Sequence, residues 1–485
     1  MHKPTKEQAA IVSAARDTDR NLLVSALAGA AKTSTLELIA AALPSVEILA
    51  LAFNKAMAVE MQERMPSNVK AMTLNALGHR TWMDATGRRL KINSSKTYEI
   101  VNELVRANPS DDLWELFAEM IRIVDFGKSC GYIPSGHFEQ AKALMRDEDF
   151  FGHLEQKLTD GQVDLIRAAT LQSLQMAMKG DCDFNDQILM PTVFHGAFPR
   201  YPLILVDEAQ DLSSLNHATL RKVVGKRRLI AVGDPCQAIY GFRGAHEESM
   251  SLLRTEFDMQ ELPLTISFRC PQSVVAHVRW RAPQMRWPEW AQPGQVRTLA
   301  GWSSDTLQDD AVVICRNNAP LFAVAIKLLK TGRSCELHGR DVVASLTKVM
   351  RKFGGHDLPQ HTVLEKIDAW LANEMEKNKV RAHNRLADRA ACMKVFALEG
   401  DTLGDALAYA QHLSQLRSPL KLMTGHGAKG LEFDHVYFLD QHLIGKDEQE
   451  PNLRYVIATR ARETLTYIRT EDFVEAKELC DEVSS

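Results

Sequence analysis

Between Ala26 and Thr33 the chain reads A-L-A-G-A-A-K-T, directly after the short apolar run Asn21–Ala26. A lysine followed by a hydroxyl residue, closing a small-residue turn, suits a phosphate chain. Lys32 would reach the β- and γ-phosphates and Thr33 would hold Mg²⁺. Curled backbone N–H groups would cradle the phosphate oxygens, and Gly29 offers one unhindered position for that. Such loops are expected to carry glycine at both outer positions, where this chain has Ala26 and Ala31. Alanine is tolerated where φ is negative and penalised where it is positive, which leaves Ala31 either harmless or damaging. Read alone, the stretch serves equally well as the small-residue start of a helix.

A second group follows the apolar run LILV. Asp207–Asp211 reads D-E-A-Q-D. A carboxylate at a strand's end can hold Mg²⁺ opposite the loop threonine, and a second can position an attacking water. Asp207 is the metal candidate and Glu208 the base candidate. Alone, the group has a lesser alternative, a solvated acidic turn after a buried strand; after a phosphate loop that alternative recedes.

These side chains need a scaffold that gathers the ends of separate strands. Asn21–Ala26 and Val46–Ala52 read as buried strands, and Lys32–Ala42 and Ala56–Met65 as helices. That alternation predicts a parallel sheet with helices on both faces. From about Gly78 to Ala177 the text turns helical and charged, with helices expected at Tyr98–Ala107, Leu113–Val124, Phe138–Met145 and Gly161–Met178. Sheet text resumes at Leu203–Asp207 and Arg228–Val232. A second α/β unit begins after about Pro263. Its strands are Ala311–Cys315, Ser334–His338, Lys421–Thr424 and Val436–Leu439, with a helix at Pro320–Lys330 and a charged helical block over Val342–Gln415.

Composition bounds the function classes. The chain has 485 residues, formal net charge −4, 45% hydrophobic and 25% charged residues, which suits about three folded domains. It excludes disorder, collagen-like repeats and a disulfide scaffold. No apolar run reaches the roughly 18 residues of a membrane span, and the polar start Met1–Lys6 is unlike a signal peptide. The cysteines at 130, 182, 236, 270, 315, 335, 392 and 480 form no C-x-x-C pair. They read as small buried residues in a reducing compartment, so a cytoplasmic protein with no membrane partner is expected. The acidic balance argues against binding nucleic acid by bulk charge, while leaving room for a local basic channel.

Several motifs now fall in order: Gln8 in PTKEQ, AGAAKT, FNKA at 53–56, DEAQD, GDPCQAIYGFRGA at 233–245, SFRC at 267–270, LMTGHGAKGLEF at 422–433 and YVIATRA at 455–461. The set resembles that of the UvrD/Rep-like superfamily 1 DNA helicases, from Gln8 to Arg462. FNKAMAVEM (53–61) and DFNDQI (183–188) are most similar to its F-box-helicase-like branch, without an F-box. The resemblance implies an α/β fold of two RecA-like P-loop NTPase domains with parallel sheets, each carrying a mainly helical insertion. The first domain would take 1–77 and 178–262 around an insertion at 78–177. The second would take 263–341 and 417–485 around a reduced insertion at 342–416.

The implied cofactors are ATP and Mg²⁺, and the implied partners are single-stranded DNA and its junctions with duplex, engaged by a monomer. Gln8 would read the adenine edge, because an amide both donates and accepts. Ala28, Gly29, Ala30, Ala31, Lys32, Thr33 and Ser34 would form the nucleotide loop, with Thr33 and Asp207 on the metal and Glu208 near the water. Gln237 would sense the γ-phosphate. Arg269 and Arg460 would be arginine fingers that neutralise charge on the transferring phosphoryl group. Glu432 would contact the ribose, and Phe268 would stack on adenine or serve in the core. Phe53, Asn54, Lys55 and Thr73, then Tyr240, Phe242 and Arg243, and Thr424 and His426 would contact the DNA strand.

The chain departs from the family pattern in places. Ser34 stands where arginine is common, Phe242 where tryptophan is usual and Asn75 where histidine is usual. The stretch holding Trp280, Trp287, Trp290 and Trp302 interleaves aromatics with Arg279, Arg281 and Arg286, which suggests nucleic acid; a proline-rich surface segment anchored by buried tryptophan fits at least as well, and the stretch stays outside the site. The activity implied is that of a DNA-dependent ATPase moving 3′→5′ and unwinding duplex. The alternatives are a nucleotide-responsive DNA clamp with an impaired loop, or an RNA-directed ATPase.

Overall fold

A computed structural model describes residues 4–239, 248–445 and 449–474. They form two compact units, one running to Leu154 and then from Leu158 to Thr265, the other comprising Glu155–Lys157 and the chain from Ile266 onward.

The strands of the first unit are β1 (Leu22–Ala26), β2 (Ile48–Ala52), β3 (Val69–Thr73), β4 (Lys91–Ile92), β5 (Asp181–Cys182), β6 (Leu203–Val206), β7 (Arg228–Gly233) and β8 (Gln260–Leu264). Six of them make one sheet in the order β3-β2-β6-β7-β1-β8, every pair parallel, and β4 and β5 pair separately. Parallel sheets are covered on both faces, which is why these strands read as unbroken apolar runs. Leu22 and Val24 pack with Leu36 and Ile39 of the helix Lys32–Ala42, while Leu23 faces the other way, toward Leu49 and Ile204. Each such buried side chain contributes roughly 1.5–3 kcal/mol.

The sheet order positions the chemistry. The phosphate-loop residues leave β1 and DEAQD leaves β6, with β7 between them. The end of β7, at Gly233 and Asp234, therefore falls between the two.

Helices Lys96–Ala107, Asp111–Cys130, Asp147–His153 and Asp160–Met178 build a separate core around Val101, Met120, Ile123, Phe150 and Ile166. The helix expected at Phe138–Met145 is absent, and that stretch is irregular. Gly136 and Phe138 have φ of 74° and 48°, and Phe138 packs edge-on against Phe194 with centroids 5.3 Å apart. Its apolar residues answer to the neighbouring core, not to a helical face, and the helix starts later, at Asp147. Four expected domain limits fall inside elements: helix Leu74–Thr86 runs through 77/78, helix Asp160–Met178 through 177/178, helix Arg340–Met350 through 341/342, and β8 through 262/263 because it pairs with β1.

The second unit contributes β9 (Gln295–Thr298), β10 (Val312–Cys315), β11 (Glu336–Leu337), β12 (Lys421–Thr424), β13 (Phe433–Leu439) and β14 (Ala461–Ile468). They form a second parallel sheet in the order β11-β12-β10-β13-β14-β9. The helical block Arg340–Met350, Gln360–Lys377, His383–Ala397 and Leu403–Gln415 has no core of its own. Leu346, Phe396 and Leu413 share one cluster with Val313 and Leu422 of the sheet, and Phe396 stacks on Phe322 at 5.1 Å.

The seven described cysteines are buried thiols. Burial pushes the Cys130 thiol up to about 11 and those of Cys182, Cys315 and Cys335 up to about 12. Among the described residues no helix is long and apolar enough to cross a membrane.

Candidate functional site

The loop after β1 turns through Gly29, with φ 72°, and through Ala31, with φ 56° and ψ 46°. Ala31 therefore occupies the left-handed region that favours glycine, which answers the question its sequence left open. It precedes the helix Lys32–Ala42 and offers no side-chain cap, so the helix's first N–H groups are open to an anion.

Lys32 Nζ lies 2.8 Å from Glu208 Oε2, and Thr33 Oγ1 lies 3.4 Å from Asp207 Oδ2. Burial works against the Lys32 ammonium, but Glu208, Asp207 and Asp234 outweigh it and hold its pKa above the ordinary value. Burial and the adjacent Glu208 push the Asp207 carboxyl up to about 6, with Lys32 acting in the opposite sense. Glu208 itself sits at φ 51°, and its N–H donates to Asp207 Oδ1 at 2.8 Å. Thr33 and Asp207 offer hard oxygens only. With a carboxyl whose charged form burial disfavours, they fit Mg²⁺, which would favour that charged form.

A relay leads from these carboxylates to β7. Gln210 Nε2 donates to Glu208, and Gln210 Oε1 accepts from the Asp234 N–H at 2.9 Å. Gln237 Nε2 donates to Asp234 Oδ2 at 2.6 Å. A Cβ on Gly233 would come 2.6 Å from Gln210 Oε1 and 2.9 Å from Met250 Sδ, so the close approach of Gln210 requires glycine there. Gln8 is buried near the loop. Its Nε2 donates to Thr35 Oγ1 at 3.2 Å, and its Oε1 accepts from the Thr5 N–H in a capping box.

In the second unit Arg269 Nε meets Glu432 Oε2 at 2.6 Å, and Arg462 lies 3.5 Å from the other oxygen of Glu432. Phe268 is exposed and stacks on exposed Trp290, with centroids 6.2 Å apart and planes 27° apart. Arg460 is 1% exposed. Its guanidinium donates to the carbonyls of Val456 and Leu431 at 2.8 and 3.0 Å and to Thr459 Oγ1 at 3.2 Å. Of the two candidate finger arginines, Arg269 is the accessible one.

Phe53, Asn54, Lys55 and Thr73 line one groove of about 900 Å³ in the first unit, together with Asn75 and Phe184. Asn54 caps the helix Lys55–Arg64 by accepting from Met57 N at 2.9 Å, and Thr73 caps Leu74–Thr86 by accepting from Ala76 N at 3.1 Å. Phe53 and Phe184 stand exposed at 44% and 66%, and Asn75 Nδ2 donates to the Phe184 carbonyl at 2.9 Å. Thr424 ends β12 and accepts from Gly427 N at 3.3 Å, with His426 in the same turn. Tyr240, Phe242 and Arg243 lie outside the described residues.

The UvrD/REP helicase N-terminal domain matches residues 5–258, and the UvrD-like helicase C-terminal domain matches 369–472. The chain belongs to the UvrD/REP helicase family. It is 25% identical to the F-box DNA helicase protein 1 of Schizosaccharomyces pombe over 95% of this chain and 57% of that one. It is 25% identical to the F-box DNA helicase 1 of Gallus gallus over 96% and 49%, and 26% identical to the DNA helicase II of Escherichia coli over 53% and 37%. This UvrD/REP-type chain thus spans about half the length of the F-box relatives it matches. The likeness to that branch, read from FNKAMAVEM and DFNDQI, agrees with these relatives.

Sequence reasoning missed three features of this UvrD/REP-type site. Asp234 and Gln210 form the relay, and both stood inside motifs read for other residues. Phe184 lay in DFNDQI, quoted as a family mark and not as a groove residue. Around it, Lys96 Nζ meets Asp186 Oδ2 at 2.7 Å, and Lys128 pairs with Asp183 and lies 3.6 Å from Asp186, with Lys96, Lys128 and Asp186 wholly buried. Pairs of residues this far apart in sequence leave no local signal.

Proposed function

We propose that the chain is a DNA-dependent ATPase that moves 3′→5′ along single-stranded DNA and opens duplex. The observation that carries the reading is the phosphate-side constellation: Lys32 on Glu208, Thr33 beside Asp207, and the uncapped helix start after Ala31.

When bound, Mg²⁺ supplies charge neutralisation on the β- and γ-phosphates. Lys32 binds the same phosphates, releasing Glu208 from their ion pair. The freed Glu208 carboxylate then orients water and accepts its proton. Gln210, Asp234 and Gln237 link Glu208 to the end of β7, so the relay registers which partner Glu208 holds. Arg269 contributes positive charge after leaving Glu432, and Arg460 does so only by giving up its carbonyl partners. Gln8 keeps a second amide hydrogen for the adenine edge, and Phe268 with Trp290 offers an aromatic face to the base. Exposed Phe53 and Phe184 stack successive bases, which grips a strand independently of its sequence. The helical stretches 78–177 and 342–416 are proposed as the two insertions.

The decisive measurement is ATP hydrolysis with and without single-stranded DNA, beside Lys32→Ala. DNA-stimulated turnover that the substitution abolishes is expected; equal rates in both chains would overturn the reading. Duplexes with a 3′ tail should open, and opening of 5′-tailed duplex alone would reverse the polarity. The left-handed Ala31 favours one second reading, a strand clamp whose loop binds nucleotide without turnover. It predicts no hydrolysis until Ala31→Gly is made.

A further inference from the structure

The second unit contains a cavity of about 860 Å³ that none of the described motif residues lines. It opens where the sheet's strands end: beyond β13 at Gln441–Gly445, at Tyr467–Arg469 of β14, and at Val296–Thr298 of β9. Carboxyl ends of parallel strands are where open α/β sheets bind ligands, and the volume suits a small molecule or one unit of a polymer.

Its wall is cationic and aromatic. Arg297, Arg454 and Arg469 line it with His277, His442 and Trp280, and among the described lining residues there is no aspartate or glutamate. Arg469 pairs outward with Glu471 at 2.5 Å. The other two arginines have neutral partners: Arg297 Nε donates to Thr466 Oγ1 at 3.2 Å. Arg454 Nε and Nη2 both lie 2.6 Å from the Gln441 side-chain oxygen, and its guanidinium lies 4.9 Å over the Trp280 ring. Trp280 remains 46% exposed, leaving ring surface for a planar ligand. His277 bonds Tyr467 Oη at 2.7 Å, and burial together with Arg454 depresses its pKa, so the imidazole is neutral near pH 7. Several guanidinium groups lining one cavity make it favourable to an anion. Planar arginine forks on an aromatic floor match phosphate oxygens.

We propose that this cavity binds a phosphate ester of a nucleoside, with the phosphate on Arg454 and Arg297 and the base on Trp280. The same chemistry is present in a free nucleotide and in the end of a nucleic-acid strand. The site is separate from the phosphate loop and holds whether or not the chain hydrolyses ATP.

Calorimetry on the full chain carrying Lys32→Ala, which silences the loop, tests it with two probes: ADP and a 5′-phosphorylated thymidine trinucleotide. At least one should bind saturably, and Arg454→Leu should weaken it by about tenfold, the loss of one charge-assisted contact. Trp280→Ala should weaken it too, and because that ring is half exposed the fold does not depend on it. Binding of ADP alone would assign the free nucleotide, and binding of the trinucleotide alone the strand end. The proposal falls if neither probe binds, or if Arg454→Leu and Trp280→Ala leave both affinities unaltered.

Discussion

At the scale of single residues, the site's backbone is held in costly places. Ala31 in the left-handed region carries a penalty of about 1 kcal/mol that glycine would not. Ala31→Gly should therefore raise the urea midpoint of unfolding by the equivalent of about 0.5–1 kcal/mol, and an unchanged or lower midpoint would refute the strain. Gly233→Ala should act on turnover. By displacing Gln210 from Asp234 and Glu208 it should lower kcat about tenfold while KM for ATP changes little, a split that steady-state kinetics reads directly. His277 gives a pH signature. Its folded pKa is depressed, so the stability it carries is complete above the unfolded value near 6.5 and is lost as pH falls through that value. Thermal melts of His277→Gln should consequently lose less Tm between about pH 7 and about pH 5.5 than those of the parent chain.

At the scale of elements, legibility followed the range of the interactions. The helix Lys32–Ala42 and the strand Lys421–Thr424 have the limits that local periodicity indicates. The segment Phe138–Met145 does not form a helix, because its apolar residues serve a tertiary cluster that no local window contains. Strands β9 and β14 were not read from sequence: β9 is short and half exposed, and β14 opens with the charged text A-R-E-T. The buried Lys96–Asp186 and Lys128–Asp183 pairs were equally silent, since each joins residues far apart along the chain. Removing one partner leaves an unpaired buried charge, so Lys128→Met should cost about 3–5 kcal/mol in urea unfolding. A loss below about 1 kcal/mol would mean the network is not dry. The same substitution should weaken single-strand binding, because Asp183 and Asp186 bracket Phe184 at the groove.

For the whole molecule, the net charge of −4 becomes a statement about how a strand is held. The groove of the first unit is lined by exposed aromatics and capping amides, with Lys55 and Arg80 its cations. If the proposed function holds, few phosphates would be neutralised there, so the affinity for single-stranded DNA should depend weakly on salt, with a log–log slope of about −2 or shallower. A much steeper slope would point to phosphate contacts elsewhere. The loop after β1, DEAQD and the individual motifs were legible in sequence because each is local. The relay through Asp234, the inward-turned Arg460 and the arginine cavity were not, since they depend on which strand ends become neighbours.

The buried thiols have a further use. The seven described cysteines are buried, and burial pushes the thiols of Cys130, Cys182, Cys270, Cys315, Cys335 and Cys392 up, so an alkylating reagent reacts only when the surrounding packing opens. Cys130 ends the helix Asp111–Cys130, Cys182 lies in the first sheet's core, Cys236 beside the relay, and Cys315, Cys335 and Cys392 in the second unit's core. Alkylation rates resolved by mass spectrometry would thus map opening free energies region by region in the unmodified chain. Ligand binding would be read as selective protection of Cys236.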